Sequence, residues 1–346
     1  MKLVYVITIL FIASFIIAGI NLWGIRCKDL ELREKIYAKR ILEHQYANLQ
    51  NDFKIRDIER EEVIENLQKE NRSLKEKLFK ENDIKGVIHF AAESHVDNSI
   101  KNPDAFIQTN INGTFNLIDV AFKSWMEAPS KIKSGYKDCR FHHISTDEVY
   151  GTLGETGYFT ETTAYAPNSP YSASKASSDF IVRAYHHTFG MNITTSNCSN
   201  NYGPKQHNEK LIPHMIKQAL EEKPLPIYGK GLNIRDWLYV LDHCKAIDLI
   251  FHKGKSGETY NIGGHNERNN ITIVNKICEI LDEKMPRKNG AKYSELIKFV
   301  EDRAGHDFRY AIDATKLETE LGWKAEETFD TGIIKTIDWY LEKWGF

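Results

Sequence analysis

The stretch 140–148, RFHHISTDE, is a short β-rich run that ends in polar and acidic side chains. Two runs of the same kind flank it along the chain, GVIHFAA at 86–92 and NITTSNCS at 192–199. Helical stretches separate the runs, namely NINGTFNLIDVAFKSW at 110–125 and a helix that begins at SPYSASK, 169–175. Because strands that alternate with helices pair in parallel through right-handed crossovers, this pattern predicts an α/β fold with a parallel sheet.

Polar side chains lie where each predicted strand ends. The three ends read AAES at 91–94, STDE at 145–148 and NCSNN at 197–201. In parallel sheets, ligands bind beyond the carboxyl ends of the strands. The sequence therefore predicts a small-molecule site at this edge of the sheet.

Tyr171 and Lys175 are four residues apart in a helix that begins near Pro170, so their side chains are expected on one face. A free phenol has a pKa of about 10. A neighbouring ammonium favours the phenolate, so Lys175 is expected to lower the pKa of Tyr171 and let it exchange a hydroxyl proton during hydride transfer. Thr146 would hydrogen-bond the same substrate oxygen. The alternative is a pair of ordinary surface residues.

Asp147 and Glu148 are adjacent carboxyls directly after an apolar run. In a partly buried site such a pair is driven to unlike protonation states, so one carboxyl serves as acid and the other as base. This pairing suits elimination of water beside a carbonyl. The alternative is a solvated turn.

The overall composition indicates which kinds of binding partner and which kind of cell compartment to expect. The formal net charge of -2 over 346 residues gives no basic excess, which argues against nucleic acid as a partner. The five cysteines contain no CxxC pair, so we predict no metal site and no disulfide framework. These features are typical of a protein in a reducing compartment that binds small molecules.

Residues 1–25 differ from the rest. Leu3–Leu22 has no charged residue and is long enough to cross a hydrocarbon core of about 30 Å as a helix. We predict an uncleaved, single-pass transmembrane anchor, with a cleavable signal peptide as the alternative. The basic residues Arg26, Lys28 and Arg33 follow the run, so the positive-inside bias places the remaining chain in the cytoplasm at the cell membrane.

Residues 27–82 contain no glycine and no proline, and they are rich in Glu, Lys, Arg, Leu and Gln. This composition predicts a long charged helix over residues 26–82. Heptad-like spacing runs from Leu42 to Phe53 and again from Ile64 to Leu78, with a stutter between the two phases. A coiled coil is one interpretation, and a solvated single helix is the other. The first interpretation predicts a homo-oligomer.

From about residue 83 to the carboxyl end, the chain resembles the dTDP-glucose 4,6-dehydratases of the extended short-chain dehydrogenase/reductase family. The motifs that carry the resemblance are IHFAAESHVDNSI (88–100), FHHISTDEVYG (141–151), FTETTAYAPNSPYSASKASSD (159–179), NCSNNYGP (197–204), EKLIP (209–213), LPIYGKG (225–231), IRDWLYVLDH (234–243), GETYNIGGHNE (257–267) and DRAGHDFRYAID (302–313). Related epimerases generally lack the Thr-Asp-Glu triplet. The resemblance implies a partial Rossmann-type sheet within 83–346 and a small α/β substrate-binding subdomain mainly within 203–346.

The resemblance implies an NAD-dependent lyase that acts on a dTDP-sugar and makes dTDP-4-dehydro-6-deoxyglucose, a precursor of deoxysugars such as rhamnose. Tyr171 would accept the proton of the sugar 4-hydroxyl while hydride leaves C4. Glu148 would then remove the C5 proton, Asp147 would protonate the departing 6-hydroxyl, and hydride would return to C6. The resemblance places these residues on the cofactor: Ala91, Ala92, Glu93, Thr109, Tyr171, Lys175 and Asn201.

Substrate contacts are also implied position by position. The residues are Ser94, Thr146, Asn200, Lys210, Leu211, Pro226, Ile227, Tyr228, Arg235, Asn270, Asp302, Arg303, Gly305 and His306. Arg235 would bind the diphosphate with its guanidinium fork, and an ion pair with Asp236 is the alternative. Ala304 stands where the family pattern has a proline.

The family opens with a strand, a Gly-x-x-Gly-x-x-Gly turn and a helix that binds the NAD pyrophosphate, and we expect this unit to be missing here. Its loss would leave the strand at 86–92 as an apolar edge. Three functions follow. They are a membrane-tethered dehydratase, an inactive membrane-anchored coiled-coil fusion that carries a dehydratase remnant, and, as the weakest, a nucleotide-sugar 4-epimerase.

Overall fold

The structure, a computed structural model, describes residues 57–346. These residues form two compact units, the part up to Ile84 and Lys85–Phe346. The first contains helix α1, Asp57–Glu81, which covers the later part of the predicted long helix and ends one residue before its predicted end. The predicted anchor at 1–25, the rest of the long helix and the first heptad phase lie outside the described residues.

A four-stranded parallel sheet forms the centre of the second unit, as predicted, in the order β1-β4-β5-β9. The strands are β1 Gly86–His89, β4 Arg140–Thr146, β5 Ile193–Cys198 and β9 Thr259–Ile262. Within residues 57–346, β1 pairs with β4 alone, and nearby Ile88 and Phe90 are 40% and 59% exposed. The predicted apolar edge is therefore present in the described part of the chain.

Helices and short turns connect these strands. After β1 come α2 (Val96–Lys101), α3 (Pro103–Phe106), a π-helical turn (Ile107–Asn112), α4 (Gly113–Trp125), and the short strands β2 (Met126–Ala128) and β3 (Lys131–Ile132). After β4 come a 3₁₀ turn (Asp147–Tyr150) and α5 (Pro170–Phe189). Helix α5 begins where sequence predicts, because Ser169 caps it reciprocally with Ser172, and it ends at Gly190, which has φ +68.

A second layer of smaller sheets follows β5. Its strands are β6 Asn200–Tyr202, β7 Leu225–Tyr228, β8 Ile234–Tyr239, β10 Glu267–Asn269 and β11 Ile297–Val300. They form a β10-β8-β6 sheet and a parallel β7-β11 pair. The helices are α6 (Leu211–Leu220), α7 (Val240–Lys253), α8 (Asn270–Lys284), α9 (Thr315–Leu321) and α10 (Phe329–Trp344), with a 3₁₀ turn at Tyr293–Leu296. Side chains of α6, α8 and α10 share one hydrophobic core with β7 and β8.

Part of the segment 203–346 belongs to the large sheet, and the predicted substrate-binding subdomain, placed mainly within 203–346, stays a prediction. After β8, the chain returns to the large sheet through α7, and β9 pairs in parallel with β5. The core formed by Ile247, Ile250 and Tyr260 belongs to that sheet. Three of the four residues of β9 are fully buried, which is typical of a strand in a parallel sheet that is covered on both faces.

No helix in the described part of the chain is a candidate membrane span. Among residues 57–346, no helix combines the length and apolar character that a bilayer span requires.

Substitution of Phe141 tests how much packing in the central sheet contributes to stability. Its side chain is fully buried on β4 and packs edge-on against the His89 ring, with 5.9 Å between centroids. We expect Phe141→Ala to lower the free energy of unfolding by about 3–5 kcal/mol, because the cavity cannot be refilled in a strand paired on both sides. Urea unfolding measures the change. The control Phe299→Ala, at a side chain that is 60% exposed, should change it by less than about 0.5 kcal/mol.

Candidate active site

The candidate site lies at the carboxyl ends of β4 and β5, where polar side chains collect. Thr146 is the last residue of β4 and caps the 3₁₀ turn that presents Asp147 and Glu148. The Thr146 hydroxyl donates to Asp147 Oδ1 over 3.3 Å and accepts from the Glu148 N–H over 3.3 Å. The strand end therefore fixes both carboxyls, as the position of STDE predicted.

The first turns of α5 place Tyr171 and Lys175 against this strand end. Both are buried, with 8% and 4% of their surface exposed. The Tyr171 ring packs edge-on against Phe106, with 6.2 Å between centroids. The Lys175 ammonium donates to the Ile144 carbonyl over 2.7 Å. The alternative of two surface residues is therefore wrong.

The charge state of Tyr171 differs from the expectation. Burial and the negative charge of Glu148 raise the pKa of Tyr171 well above its usual 10, and the hydrogen bond with Thr146 opposes them. The Lys175 ammonium donates to the Ile144 carbonyl, and no hydrogen bond joins it to the Tyr171 hydroxyl in the described part of the chain. The net rise of this pKa is opposite to the lowering that was expected, and the priming of the phenol by Lys175 stays a prediction.

Asp147 and Glu148 have the unlike environments that an acid–base pair needs. Burial, followed by the charge of Glu148, raises the pKa of Asp147 well above its usual range. Burial also raises the pKa of Glu148, but the positive charges of Arg235, Arg303 and Lys210 oppose it. Asp147 is therefore the residue that keeps its proton, and Glu148 is the one that ionises more readily.

Arg235 is buried beside these carboxyls and makes no ion pair with Asp236 in the described part of the chain, while its predicted diphosphate contact stays a prediction. Its guanidinium donates to the carbonyls of Ile234 (2.7 Å), Phe308 (3.3 Å) and Asp307 (2.9 Å), and it stacks on the Tyr310 ring at 4.0 Å. The carboxylate of the neighbouring Asp236 accepts from the Gly264 and Asn266 N–H groups instead. Here Arg235 acts on the site through its positive charge.

Three of the predicted substrate-binding residues join the loop after β1 to the smaller layer. Lys210 donates to the Ser94 carbonyl over 2.7 Å. Asp97 accepts from Arg303 Nη1 over 3.2 Å and from the Tyr228 hydroxyl over 3.0 Å. Asp97 was not identified from sequence. These contacts place the cations of Lys210 and Arg303 on the same side of the site as Glu148.

The remaining residues predicted to bind substrate differ in their burial and position. Ile227 is 3% exposed within a hydrophobic core, so its side chain cannot reach a ligand, and Leu211 packs against the same core. Pro226 and Asn270 are half-buried, in β7 and at the start of α8. Three residues lie in the loop after β11: Asp302, Gly305 and His306, with His306 Nδ1 2.6 Å from Asp302 Oδ1.

The predicted cofactor residues surround the end of β1. Ala91, Ala92 and Glu93 form its loop, and Thr109 lies in the π-helical turn beside it. Asn201 has both polar atoms of its side chain engaged, since Oδ1 is 2.8 Å from His243 Nδ1 and Nδ2 donates to the Ser199 carbonyl. Its side chain is therefore used within the protein.

Asn110 was missed by sequence reasoning. It is 1% exposed, and its side-chain amide bonds the Glu93 N–H (2.8 Å), the Glu93 carbonyl (3.0 Å) and the Ser174 hydroxyl (2.8 Å). It thereby ties the loop after β1 to helix α5. The available signal was an asparagine inside a helical stretch, where its side chain competes with backbone hydrogen bonds.

The polar residues at the ends of β1, β4 and β5 fit the nicotinamide end of NAD. Buried polar atoms without a hydrogen-bond partner in the protein collect at the strand ends: Asp147 Oδ2, Asn197 Oδ1 and Asn200 Oδ1. The pyrophosphate end is different. A Gly-x-x-Gly-x-x-Gly spacing does occur at 151–157, contrary to expectation, but it lies in an irregular segment and no helix begins until Pro170. Within residues 57–346, no strand–glycine turn–helix unit precedes β1.

Known proteins resemble this chain over most of its length. A family model described as GDP-mannose 4,6 dehydratase matches residues 34–336. A curated dTDP-glucose 4,6-dehydratase from Xanthomonas campestris is 56% identical over 265 residues, which are 77% of this chain and 75% of that protein. The crystal structure of DesIV, a dTDP-glucose 4,6-dehydratase from Streptomyces venezuelae solved with NAD bound, is 40% identical with a TM-score of 0.71, covering 79% of this chain and 78% of that one.

An epimerase is a more distant match. The crystal structure of UDP-glucuronic acid 4-epimerase from Bacillus cereus, in complex with UDP-glucuronic acid and NAD, is 27% identical with a TM-score of 0.66 and covers 78% of each chain. The dehydratase resemblance seen in the motifs is thereby confirmed. This protein belongs to the dTDP-glucose 4,6-dehydratase family of extended short-chain dehydrogenases/reductases.

Proposed function

We propose that this protein is an NAD-dependent lyase that removes water from dTDP-glucose to give dTDP-4-dehydro-6-deoxyglucose. The observation that carries the proposal is the Asp147–Glu148 pair, held by Thr146 next to the phenol of Tyr171. A reaction that only inverts C4 needs no such acid–base pair. The relatives named dTDP-glucose 4,6-dehydratase support the same substrate class.

Each residue of the pair has a defined task. Asp147, which burial keeps protonated, donates its proton to the departing 6-hydroxyl of the sugar. Glu148, which faces three cations, removes the proton from C5. The two transfers together break the C5–H and C6–O bonds and release water, with the electron pair from C5 forming the new double bond.

Tyr171 and Thr146 act on the sugar C4 oxygen. Tyr171 accepts the proton of the 4-hydroxyl, and Thr146 hydrogen-bonds the same oxygen. Bound NAD would supply the hydride acceptor for C4 and the hydride donor for C6. Ala91, Ala92, Thr109 and Lys175 would hold its nicotinamide end. Since burial raises the pKa of Tyr171, the phenol needs a positive charge beside it to ionise, and oxidised nicotinamide carries one.

The nucleotide diphosphate would lie among the cations of the smaller layer. Lys210 contacts Ser94 in the loop after β1 and Arg303 contacts Asp97 in α2, so a diphosphate can replace those contacts with stronger charge-assisted bonds. Arg235 adds its positive charge, and its guanidinium keeps N–H donors beyond the three that bond carbonyls.

A turnover assay on the full-length chain tests the proposal. With dTDP-glucose and added NAD, we expect the 4-keto, 6-deoxy product by mass spectrometry. We also expect NAD to bind more weakly than in a family member that has the glycine turn, so omission of NAD should abolish turnover. The absence of product at saturating NAD would instead support the inactive fusion.

We further propose that the protein is anchored in the cell membrane by residues 1–25, with the enzyme portion in the cytoplasm. The charge-free run Leu3–Leu22 and the basic residues after it support this. Membrane fractionation after alkaline washing tests it, and recovery of the full chain in the soluble fraction would contradict it.

We also propose self-association, supported by the heptad-like spacing that continues into α1. Light scattering on the detergent-solubilised chain tests it, and a monomer would contradict it.

A further inference from the structure

The ammonium group of Lys175 is buried away from solvent. The residue is 4% exposed, and its Nζ donates to the Ile144 carbonyl over 2.7 Å. An ammonium taken out of water loses its proton unless a negative charge or a full set of acceptors compensates. A single carbonyl does not provide this, so the nearest negative charge decides the protonation state of Lys175.

Asp179 is one helical turn beyond Lys175 on the same face of α5. Its side chain is 5% exposed and is fixed from three sides. Oδ2 accepts from the Ser145 hydroxyl over 2.6 Å and from the Tyr165 hydroxyl over 3.1 Å, and Oδ1 lies 3.1 Å from His143 Nε2. The mechanism above gives this buried carboxyl no task.

No hydrogen bond or ion pair joins these two side chains in the described residues, so their charges act on each other electrostatically, from buried positions one turn apart on α5. Burial raises the pKa of Asp179 to about 6, and the Lys175 charge is the strongest influence against that rise. In the other direction, burial lowers the pKa of Lys175, and Asp179 is the strongest influence against that fall.

The other groups around the pair are not charged near neutral pH. Burial lowers the pKa of His143 well below its usual value and raises that of the Cys198 thiol to about 12. The phenols of Tyr150 and Tyr165, which face Asp179, have their pKa values raised by burial. Among these neighbours, Asp179 therefore supplies the negative charge.

We propose that Asp179 is a positioning residue of the active site, whose carboxylate keeps the Lys175 ammonium charged where it bonds the Ile144 carbonyl of β4. This rests on the proposed function in so far as Lys175 serves it. Asp179 touches neither sugar nor cofactor in this role, because Ser145, Tyr165 and His143 surround its carboxylate.

The first test is thermal unfolding of the full-length chain and does not depend on activity. Asp179→Asn keeps the shape but removes the charge, so it should lower Tm. Adding Lys175→Met removes the buried ammonium and should restore most of the loss. If Asp179→Asn alone fails to fold, folding of the double variant is the expected result. Strictly additive losses from the two substitutions would overturn the proposal.

The second test is the pH dependence of kcat. Without the carboxylate, Lys175 loses its proton at lower pH, so the alkaline limb of Asp179→Asn should move down by about 1–3 pH units. KM for dTDP-glucose should stay the same, and Asp179→Glu should restore the limb. A loss of rate equal at every pH would show a purely structural role. The matched control Asp248→Asn removes an exposed carboxylate on α7 and should move neither limb.

The two tests separate this proposal from the proposed function. If the wild-type chain shows no turnover, the dehydratase assignment fails, and the coupling between Asp179 and Lys175 in unfolding still stands or falls on its own result.

Discussion

Glu148→Gln is expected to lower the rate of water loss from dTDP-glucose by about 10²–10⁴-fold, because glutamine cannot accept the C5 proton. The substitution keeps the size of the side chain and removes the charge that faces Arg235, Arg303 and Lys210. Oxidation at C4 should persist, since it depends on Tyr171 and Thr146. The variant should therefore accumulate a 4-keto sugar that still carries its 6-hydroxyl.

Solvent exchange at C5 gives a direct readout of this variant. In deuterated water, the wild-type product should carry deuterium at C5 by NMR, whereas sugar recovered from Glu148→Gln should not. Glu155→Gln, in the exposed loop after the 3₁₀ turn, is the matched control and should behave like the wild type. An undiminished rate of water loss in Glu148→Gln would reject the assigned base, whereas C4 epimers formed without water loss would favour a 4-epimerase.

The same pair predicts a bell-shaped pH profile of kcat. Glu148 must be ionised, and burial raises its pKa above 4.5, so the rate should fall as pH drops through that raised value. Asp147 must be protonated, so the rate should fall as pH rises through its raised pKa. Asp147→Asn should remove the alkaline limb that belongs to this residue.

Tyr171→Phe is the second large effect. Without the phenol, no group at this position can take the proton of the 4-hydroxyl, so we expect a loss of about 10²–10⁴-fold in C4 oxidation and in every later step. The ring still packs on Phe106, so the free energy of unfolding should change little. Stopped-flow measurement of cofactor reduction in the NAD-loaded protein reports the first step directly.

A buried phenol elsewhere in the fold provides the control. Tyr202 donates its hydroxyl to the Thr328 carbonyl over 3.2 Å, within the core of the smaller layer. Tyr202→Phe should cost about 1 kcal/mol of stability without slowing C4 oxidation. Equal losses of activity in both variants would indicate general damage to the fold and contradict the role given to Tyr171.

Local patterns predicted the sheet and its reactive edge. The runs at 86–92, 140–148 and 192–199 became three neighbouring parallel strands, because short apolar runs between helices have few other stable arrangements. The i,i+4 spacing brought Tyr171 and Lys175 to one buried face, and the adjacent carboxyls acquired unlike pKa values from burial.

Contacts between distant parts of the chain were beyond such patterns. Arg235 is bound by carbonyls of a loop more than seventy residues away, and Arg303 is paired with Asp97 across 206 residues. The return of β9 to the large sheet and the bonds of Asn110 to Glu93 and Ser174 likewise depend on tertiary packing. Nor could spacing show that the Lys175 ammonium donates to the Ile144 carbonyl.

The fate of the hydrogen on C4 tests the central claim most directly. The full-length chain, supplied with NAD, would be given dTDP-glucose deuterated at C4, and the product would be examined by NMR. The account predicts a 4-keto, 6-deoxy sugar with the deuterium on C6. Recovery of a C4-epimerised sugar with its 6-hydroxyl intact, or of unchanged substrate at saturating NAD, would contradict it.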